Sequence, residues 1–237
     1  MSAPFDRRSD LTDAPRVAGA KLRPKDAATL ILVRRDGPEP CVLMGRRAKG
    51  HVFMASKWVF PGGRVDRTDY HAPAASDLDP AQAALLARGV RPSLARALAL
   101  AAVRETYEET GLLVAREAPP RPGSGPWREF LGRGALPDLE PLTYIARAIT
   151  PPGRARRFDA RFFIAGAEAL MSLDRSEGCG ELDEIAWIEL SKTGDLDLPA
   201  ITRFVLSEVK ARMDQARRPI PFVRFVRGAH SIDYLDD

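Results

Sequence analysis

The segment Arg104-Glu105-Thr106-Tyr107-Glu108-Glu109-Thr110-Gly111 packs three carboxylates into five residues and closes on a glycine. At about 100° per residue, a helix here brings Glu105, Glu108 and Glu109 into an arc of about 100° and turns Leu100, Val103 and Tyr107 to the opposite side. Like charges at these spacings repel by a few tenths of a kcal/mol per pair, and the helix dipole disfavours anions in the last turns. A positive partner offsets both effects. A hard divalent cation with oxygen ligands, Mg²⁺ or Mn²⁺, suits the set better than Zn²⁺; a solvated acidic helix end neutralised by Arg104 is the other reading. Upstream stands Phe60-Pro61-Gly62-Gly63, where a glycine-rich turn can aim a carbonyl at a metal or let a phosphate come close to the backbone.

A second constellation is basic. Arg154, Arg156, Arg157 and Arg161 gather near an expected strand end, and Arg64 follows the glycine pair. Strand alternation puts Arg157 and Arg161 on one face and Phe158 and Phe162 on the other. Guanidinium forks suit phosphate capture, and a solvated basic loop with its phenylalanines in the core is the alternative. The run Glu181-Leu-Asp-Glu-Ile-Ala-Trp187 adds Glu181 as a further candidate carboxylate, against the reading as a charged loop. Trp58 reads as a core residue rather than a base-stacking platform. His51 and Cys179 have no evident partner set and read as structural or incidental.

These residues need elements to hold them. Ala28–Arg34 and Cys41–Arg46 predict two paired strands joined by an Asp36-Gly37-Pro38 turn, and Trp58–Phe60 a third strand ending at the glycine turn. Asp79-Pro80 predicts the start of a short helix over Ala81–Arg88, inside an insertion of about residues 70–92. Ser93 is the expected cap of a long helix, Leu94–Thr110, which Gly111 closes in the left-handed conformation. Leu112–Ala115 is expected as a strand, and Arg116–Gly134 as a proline- and glycine-rich connection anchored by Trp127 and Phe130. Thr143–Ile149, Arg161–Ala165 and Glu184–Leu190 predict further strands, Leu198–Met213 a helix with Ile201, Val205, Leu206 and Val209 on one side, and Ile220–Val226 an edge strand. Short strands mixed with two main helices give an α/β (α+β) sandwich rather than a repeating βαβ wheel.

The chain has 237 residues, the length of one large domain. Residues 1–25 are polar and proline-punctuated and read as an arm before a single domain over 26–237. The longest apolar runs, Ala27–Val33 and Ala97–Val103, fall far short of the roughly 18 residues of a bilayer span, and Met1–Pro24 lacks the apolar core of a signal peptide. These features predict a chain that neither crosses a membrane nor is exported. A net charge of +4, with 36 basic residues against 32 acidic, does not by itself argue for a nucleic-acid or membrane partner, and the pI near 9.3 gives a nucleic-acid-binding reading only weak support. Two cysteines allow at most one disulfide, and with three histidines make a poor transition-metal set.

Taken together, the motifs resemble the Nudix hydrolase superfamily, whose box reads Gly, five residues, Glu, seven residues, then Arg-Glu-aliphatic-any-Glu-Glu-any-Gly-aliphatic. Gly63 matches the first glycine, and Arg104, Glu105, Glu108, Glu109, Gly111 and Leu112 match the second half. Asp69 stands where the first Glu is expected, Thr106 replaces an aliphatic residue, and 34 residues, Tyr70–Val103, occupy the space of seven. Added length in a surface loop costs little entropy. A box interrupted here is similar to the branch that contains the peroxisomal coenzyme A diphosphatase and its bacterial relatives. Ile149-Thr-Pro-Pro-Gly-Arg154 and Arg156-Arg-Phe-Asp-Ala-Arg-Phe-Phe163 are similar to that branch's Thr-Pro and Arg-Phe-Asp-Thr-Arg-Phe-Phe.

The resemblance implies an α/β/α sandwich with a mixed sheet and one catalytic helix. It also implies metal-dependent hydrolysis of a nucleoside diphosphate linked to another moiety. Coenzyme A or acyl-coenzyme A is the expected substrate, with ADP-ribose, NADH, nucleotide sugars, dinucleoside polyphosphates and capped RNA as alternatives. By the same resemblance Glu108 and Glu109 ligate the metal, Glu105 ligates or orients, Gly63 offers its carbonyl, and Arg104 holds the carboxylates by ion pairing. Glu109 or Glu181 serves as the base, and Arg64, Arg154, Arg157 and Arg161 bind substrate, Arg154, Arg157 and Arg161 through a phosphate such as the 3′-phosphate of coenzyme A. A homodimer is the implied assembly. The C-terminal Tyr-Leu-Asp-Asp is not a peroxisomal signal, so a cytoplasmic location is expected. A non-catalytic nucleotide sensor on the same fold is the rival of another class.

Overall fold

The computed structural model describes residues 22–47, 56–174, 182–215, 217–227 and 229–235. The alternating run Ala28–Val33 forms the middle of strand β1 (Lys25–Arg34), whose residues point alternately to two cores. Leu30 and Leu32 pack to one side of the sheet, Ile31 and Val33 to the other. A strand buried on both faces reads as a continuous apolar run.

Around it lie β2 (Cys41–Arg47), β3 (Trp58–Val59), β4 (Gly62–Arg64), β7 (Thr143–Ile149), β8 (Phe158–Gly166), β9 (Leu182–Glu189), β10 (Pro221–Val226) and β11 (Ala229–Tyr234). The order is β11-β10-β7-β8-β1-β2-β3, with β4 on β1 and β9 on β2. β1 runs parallel to β8 and antiparallel to β2 and β4, so the sheet is mixed. The far edge of β1 is shared: its end takes β2 at Val33–Val42, and its start takes β4 at Ala28–Gly63. β5 (Ala115–Glu117) and β6 (Ala135–Pro137) form a separate ribbon.

Helix α2 (Pro92–Thr110) covers one face with α1 (Pro80–Ala87) and α3 (Trp127–Gly132), and α4 (Ala200–Asp214) covers the other. Sequence expectation and structure agree on α1, whose N-cap Asp79 accepts from Ala81 N–H and Gln82 N–H. They agree also on the end of α2, where Gly111 adopts φ 76° and its N–H donates to the Tyr107 carbonyl.

Several expectations need correction. Ser93 is inside α2; the helix begins at Pro92, whose fixed φ suits the first helical position, with Arg91 before it and no side-chain cap, and the Leu94 and Ala95 N–H groups donate to the Arg91 carbonyl. Leu112–Ala115 is no strand of its own: Val114 makes one bridge to Leu170, and pairing begins at Ala115. The connection after it holds β5 and α3, which seat Trp127 and Phe130 in the core. The strand at Ile220–Val226 is interior, since β11 pairs along its outer side.

Candidate functional site

The acidic face of α2 does not face solvent. Glu109 is 4% exposed and Arg104 3%, because this end of the helix packs on β4 and the 3-10 turn Arg67–Tyr70. Arg104 uses all five of its guanidinium donors. Nε and Nη2 grip Asp69 at 2.8 and 3.0 Å, Nη1 reaches Glu105 at 2.8 Å and Glu108 at 2.6 Å, and Nη2 also donates to the Arg64 carbonyl at 3.0 Å.

Asp69 is fully buried. It accepts in addition from Trp127 Nε1 at 2.9 Å and, as part of a capping box with Asp66, from Asp66 N–H at 2.8 Å. The shorter acid is thus accommodated by a turn that brings it to the helix. Burial pulls the Arg104 pKa down, but the bonds to Asp69 and the surrounding carboxylates push it above its ordinary value. The second departure, Thr106, is buried and its hydroxyl donates to the Ala102 carbonyl, which satisfies it inside the helix.

The glycine turn meets this cluster directly. Gly62 N–H donates to Glu109 Oε2 at 3.0 Å. A Cβ on Gly63 would lie 2.4 Å from the Glu105 carboxyl carbon, so the missing side chain is what lets that carboxylate lie on the strand. Leu30 N–H donates to the Pro61 carbonyl and Val65 N–H to the Asp26 carbonyl on either side, which puts Ala28–Gly63 in the hydrogen-bonding phase of the ladder. The Gly63 carbonyl therefore faces the Ala28 N–H and keeps a second lone pair for another donor or a cation.

Burial pushes the Glu105 carboxyl above its usual range, opposed by Arg104 and reinforced by Glu108 and Asp69. Among the described residues, no three His, Cys, Asp or Glu side chains converge as they stand into a group able to hold a metal ion. Arg104 holds Glu105 and Glu108 toward itself. In kind and charge, however, the donors fit a hard divalent cation: they are all oxygens, and one guanidinium serves Asp69, Glu105 and Glu108 together.

Glu105, Glu109, Gly62, Gly63 and Arg64 line one wall of a cleft of about 840 Å³ on the α4 side of the sheet, a size usual for small-molecule sites. Its floor is the outward row of the strands, including Ala27, Ala148, Ala160, Phe158 and Phe162. Arg154, Arg156 and Arg157 line it from the β7–β8 turn, where Arg157 Nε donates to the Thr150 carbonyl and Nη1 to the Leu22 carbonyl.

Of the residues singled out in the sequence, the structure brings Glu105, Glu109, Gly63, Arg64, Arg154 and Arg157 to one cleft. Arg104 and Glu108 stand behind the carboxylates, outside its lining. Arg161 is the clear correction. Strand alternation sends it to the opposite face of β8, where it is 1% exposed and pairs with Asp26 at 2.7 Å and Asp159 at 3.2 Å. The same alternation makes Phe158 and Phe162 cleft floor. Glu181, with His51 and Cys179, lies outside the described residues. Trp58 packs against the core on the α4 side. Sequence reasoning missed the Gly62 N–H as the Glu109 anchor, Trp127 as an Asp69 donor, and Val223 and His230 as cleft residues; only the i,i+3 spacing of Asp66 and Asp69 signalled any of this.

No family model matches the chain. It is 29% identical to the acyl-coenzyme A diphosphatase NUDT19 of Gallus gallus, over 61% of this chain and 55% of that protein, so the chain spans about half the length of the curated relative it matches. It superposes on the crystal structure of a NUDIX hydrolase from Alicyclobacillus acidocaldarius with a TM-score of 0.59 and 29% identity, covering 83% of this chain and 98% of the other. Among the described residues, no helix is long and apolar enough to cross a membrane. Box residues at one cleft, an α+β sandwich with a mixed sheet, and a superposition over nearly the whole of a solved relative converge: the chain has the fold of the Nudix hydrolases and resembles that superfamily in its box.

Proposed function

We propose that the chain is a divalent-metal-dependent diphosphatase acting on coenzyme A or an acyl-coenzyme A, with 3′,5′-ADP and a phosphopantetheine product. The observation that carries this reading is the shared cleft: Glu105 and Glu109 face the glycine strand and stand in the same cavity as Arg64, Arg154 and Arg157. The chicken relative's name supports the choice of substrate.

Glu105, Glu108, Glu109 and the Gly63 carbonyl would hold the ion. When bound, Mg²⁺ or Mn²⁺ supplies charge neutralisation at the diphosphate and Lewis acidity. The chain's own residues do the rest. Arg104, itself immobilised on Asp69, fixes where the Glu105 and Glu108 carboxylates point. Gly62 and Gly63 let a phosphate approach the backbone of β4 without steric conflict. Glu109, anchored through one oxygen by the Gly62 N–H, takes the proton of the attacking water. Arg154 and Arg157 bind substrate oxygens.

The test is a panel of coenzyme A, acetyl-coenzyme A, ADP-ribose, NADH and a dinucleoside polyphosphate with Mg²⁺, Mn²⁺ or EDTA, the products being identified by mass. Metal-dependent 3′,5′-ADP from coenzyme A is the expected result. Cleavage of another diphosphate alone would move the substrate and keep the reaction. Absence of cleavage with either metal would overturn the reading in favour of a nucleotide sensor.

A further inference from the structure

Helix α4 covers only part of its face of the sheet. Ile31, Val33 and Ile145 share a core with its Val205, Leu206 and Val209, whereas Ala27 and Thr29, earlier on β1, line the cleft. Ala200, Ile201 and Thr202, the first turn of α4, line the same cleft. Two helices on opposite faces of the sheet thus reach one cavity. α2 brings Glu105 and Glu109 to it, and α4 brings its N-terminus, the positive end of the helix dipole. The start of α4 is tied to the strand that precedes the glycine turn: Trp58 N–H donates to the Asp197 carbonyl at 3.0 Å, and Lys57 Nζ pairs with the Asp197 carboxylate at 3.0 Å.

Unlike α1, this helix has no side-chain cap. Its N-cap is Pro199, which has no side-chain acceptor, and its first turn holds no acidic residue. Arg203 N–H donates to the Pro199 carbonyl at 3.0 Å, but the Ile201 and Thr202 N–H groups have no acceptor among the described residues. The Thr202 side chain is an independent sign. Among the described residues four threonines are buried, and Thr106, Thr110 and Thr193 each donate to a backbone carbonyl. Thr202 is 5% exposed and its hydroxyl has no such partner among the described residues. Its oxygen is not sealed off either, so the surface it keeps opens on the cleft that it lines. An unpaired buried hydroxyl costs stability, which a ligand that accepts from it offsets.

We infer that the N-terminus of α4, through the Ile201 and Thr202 N–H groups and the Thr202 hydroxyl, binds one phosphoryl group of the substrate's diphosphate. Two backbone donors, a hydroxyl and the helix dipole suit a phosphoryl oxygen and need no cationic side chain. The inference rests on the diphosphatase reading for its substrate and adds to it a binding element outside the box.

Binding without metal or turnover separates the two ideas. The probe is inorganic pyrophosphate, titrated by calorimetry into the full chain in EDTA, with thermal denaturation in parallel. Thr202→Val is expected to weaken pyrophosphate binding about tenfold, the effect of one hydrogen bond to a charged group, and to melt no lower than the wild type. Thr202→Ser is expected to bind as the wild type does. Ala200→Asp, which adds a carboxylate to the first turn, is expected to lose pyrophosphate binding without melting lower. Failure of the wild type to bind pyrophosphate would overturn the site, as would unchanged binding by Thr202→Val. A lower melting temperature in Thr202→Val would also overturn it, because the hydroxyl would then serve the fold. Binding lost in the variants, with no diphosphate cleaved under either metal, would keep the site and remove the diphosphatase reading. Diphosphate cleavage with unchanged pyrophosphate binding in the variants would do the reverse.

Discussion

Glu109 and Glu105 face the same glycine strand and fail in different ways when disturbed. Glu109→Gln keeps an oxygen to accept from Gly62 N–H and loses the charge, so we expect an unchanged melting temperature and a turnover lower by orders of magnitude, read in parallel by thermal denaturation and product release. Near-normal turnover would remove Glu109 from the site. Gly63→Ala places its methyl against the movable end of Glu105 rather than against backbone, so stability is expected to change by less than about 1 kcal/mol while activity falls sharply. The neighbouring position is the control, because a Cβ on Gly62 would meet the Ala28 carbonyl oxygen at 2.6 Å, and backbone cannot swing aside. Gly62→Ala that melts as the wild type does would contradict this account of the turn.

At the scale of elements, the 3-10 turn Arg67–Tyr70 and α2 are joined through one buried ion pair. Asp69 is what the 3-10 turn contributes, and Arg104 on α2 is held by it through two bonds. Breaking such a pair from one side leaves a buried charge without its partner, so Asp69→Ala is expected to cost about 3–5 kcal/mol, measured by denaturant unfolding. Asp69→Ala within about 1 kcal/mol of the wild type would show that Glu105 and Glu108 suffice to hold Arg104. The helix itself was legible in the sequence: its alanine-rich body and its closing glycine both act locally. Its start was not, because Pro92 and Ser93 both carry start signals and nothing local decides between them. The strand β11 was missed for a related reason, since Ala229–Tyr234 has no strong alternation and becomes a strand by pairing with β10 along its length.

Across the whole molecule, charge is sorted. Arg23, Lys25, Arg64, Arg154, Arg156 and Arg157 line a cleft whose carboxylates are Glu105 and Glu109, although the chain as a whole carries only +4. An anionic substrate is therefore steered toward the rim, and exposed charges act over about a Debye length. Raising salt from about 0.05 to about 0.5 M is expected to raise KM several-fold with little change in kcat, read from initial rates. A KM indifferent to salt would show that the rim arginines do not meet the substrate's charge.

The sequence by itself determined the local parts: the central apolar run, the capped helices, the glycine turn and the carboxylate spacing, each set by interactions within a few residues. Only the tertiary structure decided which side of a strand each residue serves. Arg161 left the cleft for Asp26 and Asp159, while Phe158 and Phe162 became its floor. Val223 and His230 joined a cleft lined by residues from as far back as Leu22 and Arg23. A strand's alternation is written in the chain, but which of its two faces is cavity and which is core depends on the helices that cover them. That choice is made by long-range packing.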